Sequence, residues 1–367
     1  PEINMPAVTQ FVDGSGPIFG GSLFPFVFIT IACGAISGFH ALISSGTTPK
    51  LITNEKYIPM IGYGGMLLES FVAIMAIVAA CVLEPGVYFA INSPPGIVGK
   101  TVVETIETIN SWGFSVTLEQ MQQLADDVGE STLFARTGGA PSLAVGMATI
   151  FAEAFGKHLL AMWYHFAIMF EAVFILTTLD AGTRVGRFML QDILGNYYKP
   201  LGNHSSVTSN ILTSSFVVLC WGYFLYIGVI DPNGGVNILW PLFGIANQML
   251  AAIALCVVTA MILKYRNKIF ALITGIPLIW LLVITTTAAL EKIFSSDVRV
   301  GFLSAAKNID NQIMSNSSNI DINVLQQLSF NLHLNVVIVS ILVVILWIVV
   351  FDVFKLIFWR KHSEKTI

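Results

Sequence analysis

The sequence predicts an all-α polytopic membrane protein, on three observations. Hydrophobic residues make up 55% of the 367 and charged residues only 11%, against roughly 25% charged in soluble domains. Seven apolar runs stand out, at about 23–43, 61–83, 158–182, 208–230, 239–263, 269–290 and 335–358. Each approaches the roughly 20 residues that a helix needs to cross a hydrocarbon core. The basic residues then concentrate on one side of the membrane if the runs cross in alternation.

The elements follow in order. Residues 1–21 are rich in Gly, Ser and Asp and read as an outer loop. The first run carries Gly34, Ser37, Gly38 and His40 in quick succession, then Ser44, Ser45, Gly46 and Pro49. Small residues let a backbone leave the helix, and backbone groups freed inside a bilayer must face protein, water or a ligand. An interrupted span therefore points to a transport site, although close helix packing through small residues explains the same composition. Residues 84–157 are an acidic outer loop followed by a lid. Two amphipathic helices are expected in the loop, one burying Val102, Val103, Ile106 and Ile109, the other Leu118, Met121, Leu124, Ala125 and Val128. Thr117 and Gln120 fit a capping box for the second. Pro141–Phe155 is apolar but too short to cross alone, and reads as a re-entrant or lid helix. A basic loop is expected at 184–206, a turn from Asp231 to Asn237, a second outer loop at 291–334 and a cytoplasmic tail at 359–367. The run at 269–290 is expected to kink at Gly275 and Pro277.

Charge orients the chain. With the C-terminus inside, the short segments at 48–56, 184–206 and 264–268 and the end after 355 hold most of the Lys and Arg, and the acidic segments lie outside. That arrangement needs an odd number of crossings and an outer N-terminus.

Other chemistries find no support. A formal net charge of -4 gives a nucleic acid no basic surface, so no nucleic-acid partner is expected. Cys33, Cys81, Cys220 and Cys256 all fall in apolar runs without metal-ligand spacing, so no metal or disulfide framework is expected. There is no HExxH, GxSxG or P-loop pattern, and neither an enzyme nor a cofactor is indicated. The chain opens on Pro1 and reads as the interior of a longer polypeptide.

Ionisable residues at membrane depth are functional by default. Glu171 lies midway between Lys157 and Arg184, with Tyr164 and Thr178 two turns to either side. A desolvated carboxylate there suits a proton carrier. Glu69 is a second candidate and His165 a third, set against a core role for the histidine. Asp180 lies one turn before Arg184, as in a local structural ion pair. Asn247 and Gln248 are polar and neutral, suited to hydrogen bonds between helices.

Four long motifs carry a resemblance: ACGAISGFHALISSGTTPK, IGYGGMLLESFVAIMA, WYHFAIMFEA with TLDAGTRVGRFMLQD, and WPLFGIANQMLA. Together they resemble the carbon-starvation protein A family of bacterial inner-membrane transporters over nearly the whole chain. The resemblance is weakest at 90–135 and 300–330. It implies secondary uptake of small carbon nutrients, pyruvate or short peptides, by proton symport during carbon limitation. It also implies the second of two inverted five-helix repeats at 22–263, with two accessory spans at 264–358. Substrate would then meet Gly34, Ser37, Gly38 and His40 at the broken helix. Family members are about twice this length, so a missing N-terminal half is expected from the same full-length chain or a separate polypeptide. Two alternatives stand beside this one. One is sodium coupling through Thr177 and Thr178, and the other is a truncated membrane module with no transport of its own.

Overall fold

A computed structural model of the chain describes residues 2–18, 20–230, 236–266, 268–315 and 322–363, and all regular structure among them is helical. In chain order the α-helices are α1 (Phe28–Ala35), α2 (Gly38–Leu42), α3 (Thr48–Leu51), α4 (Gly65–Val82), α5 (Pro85–Asn92), α6 (Pro95–Val98), α7 (Val102–Ser111), α8 (Leu118–Val128), α9 (Ala140–Phe155), α10 (Leu160–Gly195), α11 (Val207–Ile230), α12 (Val236–Tyr265), α13 (Ala271–Phe294), α14 (Phe302–Ser315) and α15 (Ile322–Ser363). Among the described residues, five stretches are long and apolar enough to cross a membrane: Glu55–Val82, Lys157–Gly195, Leu242–Tyr265, Ala271–Phe294 and Ile322–Lys355. α11 covers the expected run at 208–230. The expected run at 23–43 is not one helix but α1 and α2, parted at Ile36 and Ser37. The turn expected from Asp231 starts outside the described residues, and so do the last residues of the tail.

Two helices outgrow the apolar runs inside them. α10 continues to Gly195 through residues expected to form a basic loop. Arg184, Arg187, Met189, Leu190 and Gln191 are good helix formers. The helix runs through Gly186, where a Cβ would meet Val217 of α11 at 2.9 Å, so the glycine serves close packing of α10 on α11. The helix ends where a Cβ on Gly195 would approach the Gly202 Cα to 2.8 Å, so that the chain doubles back. α15 likewise starts at Ile322, inside the segment expected as a loop, and α14 fills much of the rest.

The chain divides into two compact units. The first comprises Pro1–Phe11, Gly16–Phe19 and Ile43–Ile238. Here α9 packs on both α4 and α10. A Cβ on Gly146 would lie 2.1 Å from the Ala79 carbonyl oxygen, so α9 and α4 cross with their backbones touching, as small residues allow in membranes. Residues 84–139 close over one end of these helices with a core of their own. Phe89, Ile91, Ile109, Met121 and Leu133 are buried there, continuous with Val145 of α9 and Tyr164 of α10. Phe11 stands edge-on to Phe89 and Trp112, with ring centroids 5.5 and 5.4 Å away. The buried face of α7 differs from expectation: Thr105 and Ile109 are inside, and Val103 is exposed. A capping box between Thr101 and Glu104 fixes where α7 begins and hence its rotation. Thr105 tolerates burial because its hydroxyl donates to the Thr101 carbonyl at 3.0 Å. At α8 only half of the expected box forms. Thr117 accepts from the Gln120 N–H, but the Gln120 amide turns to Glu84 at 2.7 Å.

The second unit comprises Val12–Ser15, Gly20–Leu42 and Leu239–Ile367. α13 packs on α14 and α15, and the π-helical turn Leu23–Val27 packs on α13. Phe24 and Phe28 both meet Trp280, with centroids 5.8 Å away in each case. Pro277 lies inside α13, where the expected kink was placed. Ile245, Leu281, Ile284, Val339 and Leu346 are buried in this unit.

Candidate functional site

The second unit holds the broken helix. α1 ends at Ala35, Ile36 and Ser37 leave the helical path, and α2 begins at Gly38. A break exposes backbone donors that need partners, and α12 supplies one. The Asn247 side-chain oxygen accepts from the Phe39 N–H at 2.7 Å and from the Ser37 hydroxyl at 3.2 Å. The Ser37 oxygen in turn accepts from the His40 N–H at 3.4 Å. Gly38 is buried, and a Cβ there would lie 2.3 Å from both the Asn247 carbonyl oxygen and the Leu250 Cβ. Only glycine lets α2 touch α12 at this point.

The four residues expected to face substrate therefore divide. Ser37 and Gly38 meet α12, whereas Gly34 and His40 are exposed, and a Cβ on Gly34 would meet nothing within 4 Å. The N–H groups of Phe39 and His40 are already engaged, so the break does not present a full set of bare donors.

Next to Asn247, Gln248 is fully buried, and neither atom of its amide has a hydrogen-bond partner among the described residues. It shares one helical face with Gly244, Asn247 and Ala251. That face touches the broken helix, since Gly244 and Ala251 approach Ile29 and Gly38. Sequence reasoning gave Asn247 and Gln248 only a generic helix-to-helix role. The available signal was a pair of amides in an otherwise apolar run. Lys292 was also missed. Expected on the outer side, it is 3% exposed in α13, with its ammonium 4.9 Å from the Phe26 ring centroid.

The first unit carries the ionisable candidates. Glu171 is half-buried on α10. Tyr164, two turns before it, is buried, with its hydroxyl 3.5 Å from the Glu130 Oε1, and the other oxygen of that carboxylate, Oε2, pairs with Arg136 at 3.4 Å. Thr178, two turns after Glu171, is exposed, so the three residues do not share an environment. His165 lies in the second turn of α10, its ring 5.4 Å from that of Tyr164 and next to Gly129 at the end of α8. It belongs with the 84–139 segment and lies six residues from Glu171, about 9 Å along the helix. Glu69 is exposed on α4. The Thr177 and Thr178 hydroxyls both donate to the Phe174 carbonyl, at 2.7 and 3.2 Å. Arg184 and Asp180 approach to 3.0 Å. Among the described residues no group of three His, Cys, Asp or Glu side chains could hold a metal.

Comparison with known proteins adds the rest. A family model described as Carbon starvation protein CstA matches residues 1–288. A peptide transporter CstA of Escherichia coli (strain K12) is 54% identical over 326 residues, which is 87% of this chain and 46% of the relative. A peptide transporter CstA of Campylobacter jejuni is 55% identical over 295 residues, 80% of this chain and 42% of the relative. A pyruvate/proton symporter BtsT of Escherichia coli (strain K12) is 50% identical over 336 residues, 85% of this chain and 47% of the relative. The chain spans less than half the length of these curated relatives. No solved structure shows a significant match.

Proposed function

Because the chain belongs to the carbon starvation protein CstA family, we propose that it forms the C-terminal portion of a secondary active transporter that takes up pyruvate or short peptides by proton symport. The observation that carries this reading is the helix broken at Ile36 and Ser37 and capped by Asn247. A span that stays broken only because a distant amide satisfies it is costly to keep, and transporters keep such spans to form binding sites. In this reading residues 22–263 are the second-repeat core, 264–358 hold the accessory spans, and the remaining half of the site comes from sequence outside this chain. The chain sits in a bacterial inner membrane with residues 84–157 outside and the 184–206 segment inside.

Gly34, Ser37 and His40 stand at or beside the break, where substrate would enter. Gly38 sets the approach of α2 to α12. Gln248 adds an amide with unspent hydrogen-bonding capacity on the α12 face against the break. Glu171 carries the coupled proton. Its half-buried place midway along an apolar span supports this reading. Glu69 is the alternative carrier, and His165 acts at the outer end through its neighbours Tyr164 and Gly129.

The test is uptake by the full-length protein in proteoliposomes, with pyruvate and a dipeptide offered against a pH gradient. Glu171→Gln is expected to abolish gradient-driven accumulation and to leave substrate exchange at zero gradient intact. Full accumulation in this variant would remove Glu171 from the mechanism. Uptake that survives collapse of the proton gradient but requires sodium would transfer coupling to Thr177 and Thr178.

A further inference from the structure

The first unit gathers cations towards the C-terminal end of α10, about four turns beyond the carboxylate of Glu171. Lys50, in α3, places its ammonium 4.1 Å from the centroid of the Phe188 ring. Arg187 places its guanidinium carbon 4.6 Å from the same centroid. Neither pairs with a carboxylate among the described residues, and the Arg187 Nε is buried without an acceptor. Two cations resting on one ring repel each other, and a buried guanidinium N–H without an acceptor costs free energy.

Acids nearby are already engaged. Asp180 holds Arg184 at 3.0 Å, and Asp192 holds the His204 Nε2 at 3.0 Å. His204 itself lies 5.5 Å from Phe188, centroid to centroid, and its Nδ1 is 2.9 Å from the Gln191 oxygen. Gln191 is fully buried and donates to Asn210 at 2.8 Å and to Ser209 at 3.1 Å. The floor of the cluster is thus a closed hydrogen-bond network, which holds Phe188 and its helix in place. The two cations above it are the groups left over.

The surroundings are those of a membrane edge. Met189, Ile193, Tyr197 and Tyr198 are exposed on the same stretch, and Tyr is favoured at the level of lipid headgroups. Before Lys50, the Thr47 hydroxyl is also buried without a hydrogen-bond partner among the described residues.

We propose that Lys50 and Arg187, both seated on Phe188, bind a phosphate anion, supplied by the headgroup of an anionic phospholipid. A phosphodiester would accept from the guanidinium and the ammonium together, while its acyl chains lie along the exposed apolar side chains. Basic pockets beside membrane helices hold anionic headgroups in this way.

The experiment uses the full-length protein purified in mild detergent. Native mass spectrometry reads retention of added phosphatidylglycerol and of phosphatidylcholine, and thermal unfolding is followed with inorganic phosphate. Wild type is expected to retain phosphatidylglycerol in preference to phosphatidylcholine. The double variant Lys50→Gln/Arg187→Gln is expected to bind phosphatidylglycerol about 30-fold more weakly. Lys50→Arg keeps the charge and should keep the binding, which separates loss of the site from loss of the fold. Arg184→Gln, whose partner is Asp180, should behave as wild type. A phosphate-induced stabilisation that the double variant abolishes, without selective lipid retention, would assign the site to the free anion and overturn the lipid source. Equal retention of both lipids with no phosphate effect, or unchanged binding in the double variant, would overturn the site altogether.

Discussion

Two adjacent amides of α12 illustrate how neighbouring residues can be put to opposite uses. Asn247 completes the hydrogen bonds of the broken helix, accepting from Phe39 and Ser37. Removing it leaves a partly buried N–H unpaired, for which the cost of a fully buried group, about 1–3 kcal/mol, is an upper bound. Gln248 is equally buried, and its amide has no hydrogen-bond partner among the described residues. Replacing an unsatisfied amide by an apolar group of similar size is neutral or stabilising, so a residue kept there despite the cost is a candidate for function. Asn247→Ala is therefore expected to lower the thermal unfolding midpoint in detergent. Gln248→Leu should leave the midpoint unchanged or raised while impairing substrate uptake by the full-length protein. If Gln248→Leu destabilises as much as Asn247→Ala, the amide has a structural partner and no claim on substrate.

At the scale of the element, caps decide more than apolar periodicity does. α7 is short, and its apolar pattern allows more than one buried face. The capping box selects the one that buries Thr105 and exposes Val103. Glu104 accepts from the N–H groups of Thr101 and Lys100, at 3.1 and 2.8 Å. The Thr101 N–H foremost, and then that of Lys100, hold its carboxyl below the ordinary value of 4.5. A carboxyl whose folded value lies below its unfolded one stabilises fully above the unfolded value. That contribution is lost as pH falls through the folded value. Amide exchange at the start of α7 is expected to be faster in Glu104→Gln than in wild type at neutral pH. The two should converge as pH falls through that lowered folded value. A difference that widens in acid would contradict the cap as the source. A comparable local rule explains α10: its helix formers carry it past Gly182 to the Gly195–Gly202 contact, whereas the basic character of 184–206 reads as a loop.

For the whole molecule, what the sequence discloses depends on how far apart the interacting parts lie. The interruption of the first apolar run is written locally in Gly34, Ser37 and Gly38. Its partner Asn247 lies 208 residues from Phe39, and no local pattern links the two. The 84–139 segment shows its helices in advance, but not that they would share one core with α9 and α10, with Phe11 packed against Phe89. The expected orientation is of a different kind, because it rests on summed charge rather than on a long-range contact, and labelling tests it. The acidic 84–139 segment and the basic stretch after Gly182 are separated in the chain by α10, which is long and apolar enough to cross a membrane. Glu107 and Lys199 are both exposed, one before α10 and one after it in the chain, and the proposed topology puts them on opposite sides. In a background without native cysteines, Glu107→Cys is expected to react with a membrane-impermeant maleimide on intact cells. Lys199→Cys should react only after permeabilisation. The reverse pattern would invert the chain and place the Lys50–Arg187 cluster in the outer leaflet. Labelling of both on one side would mean that α10 does not cross. Glu171 would then lose the membrane depth on which its proposed role as proton carrier rests.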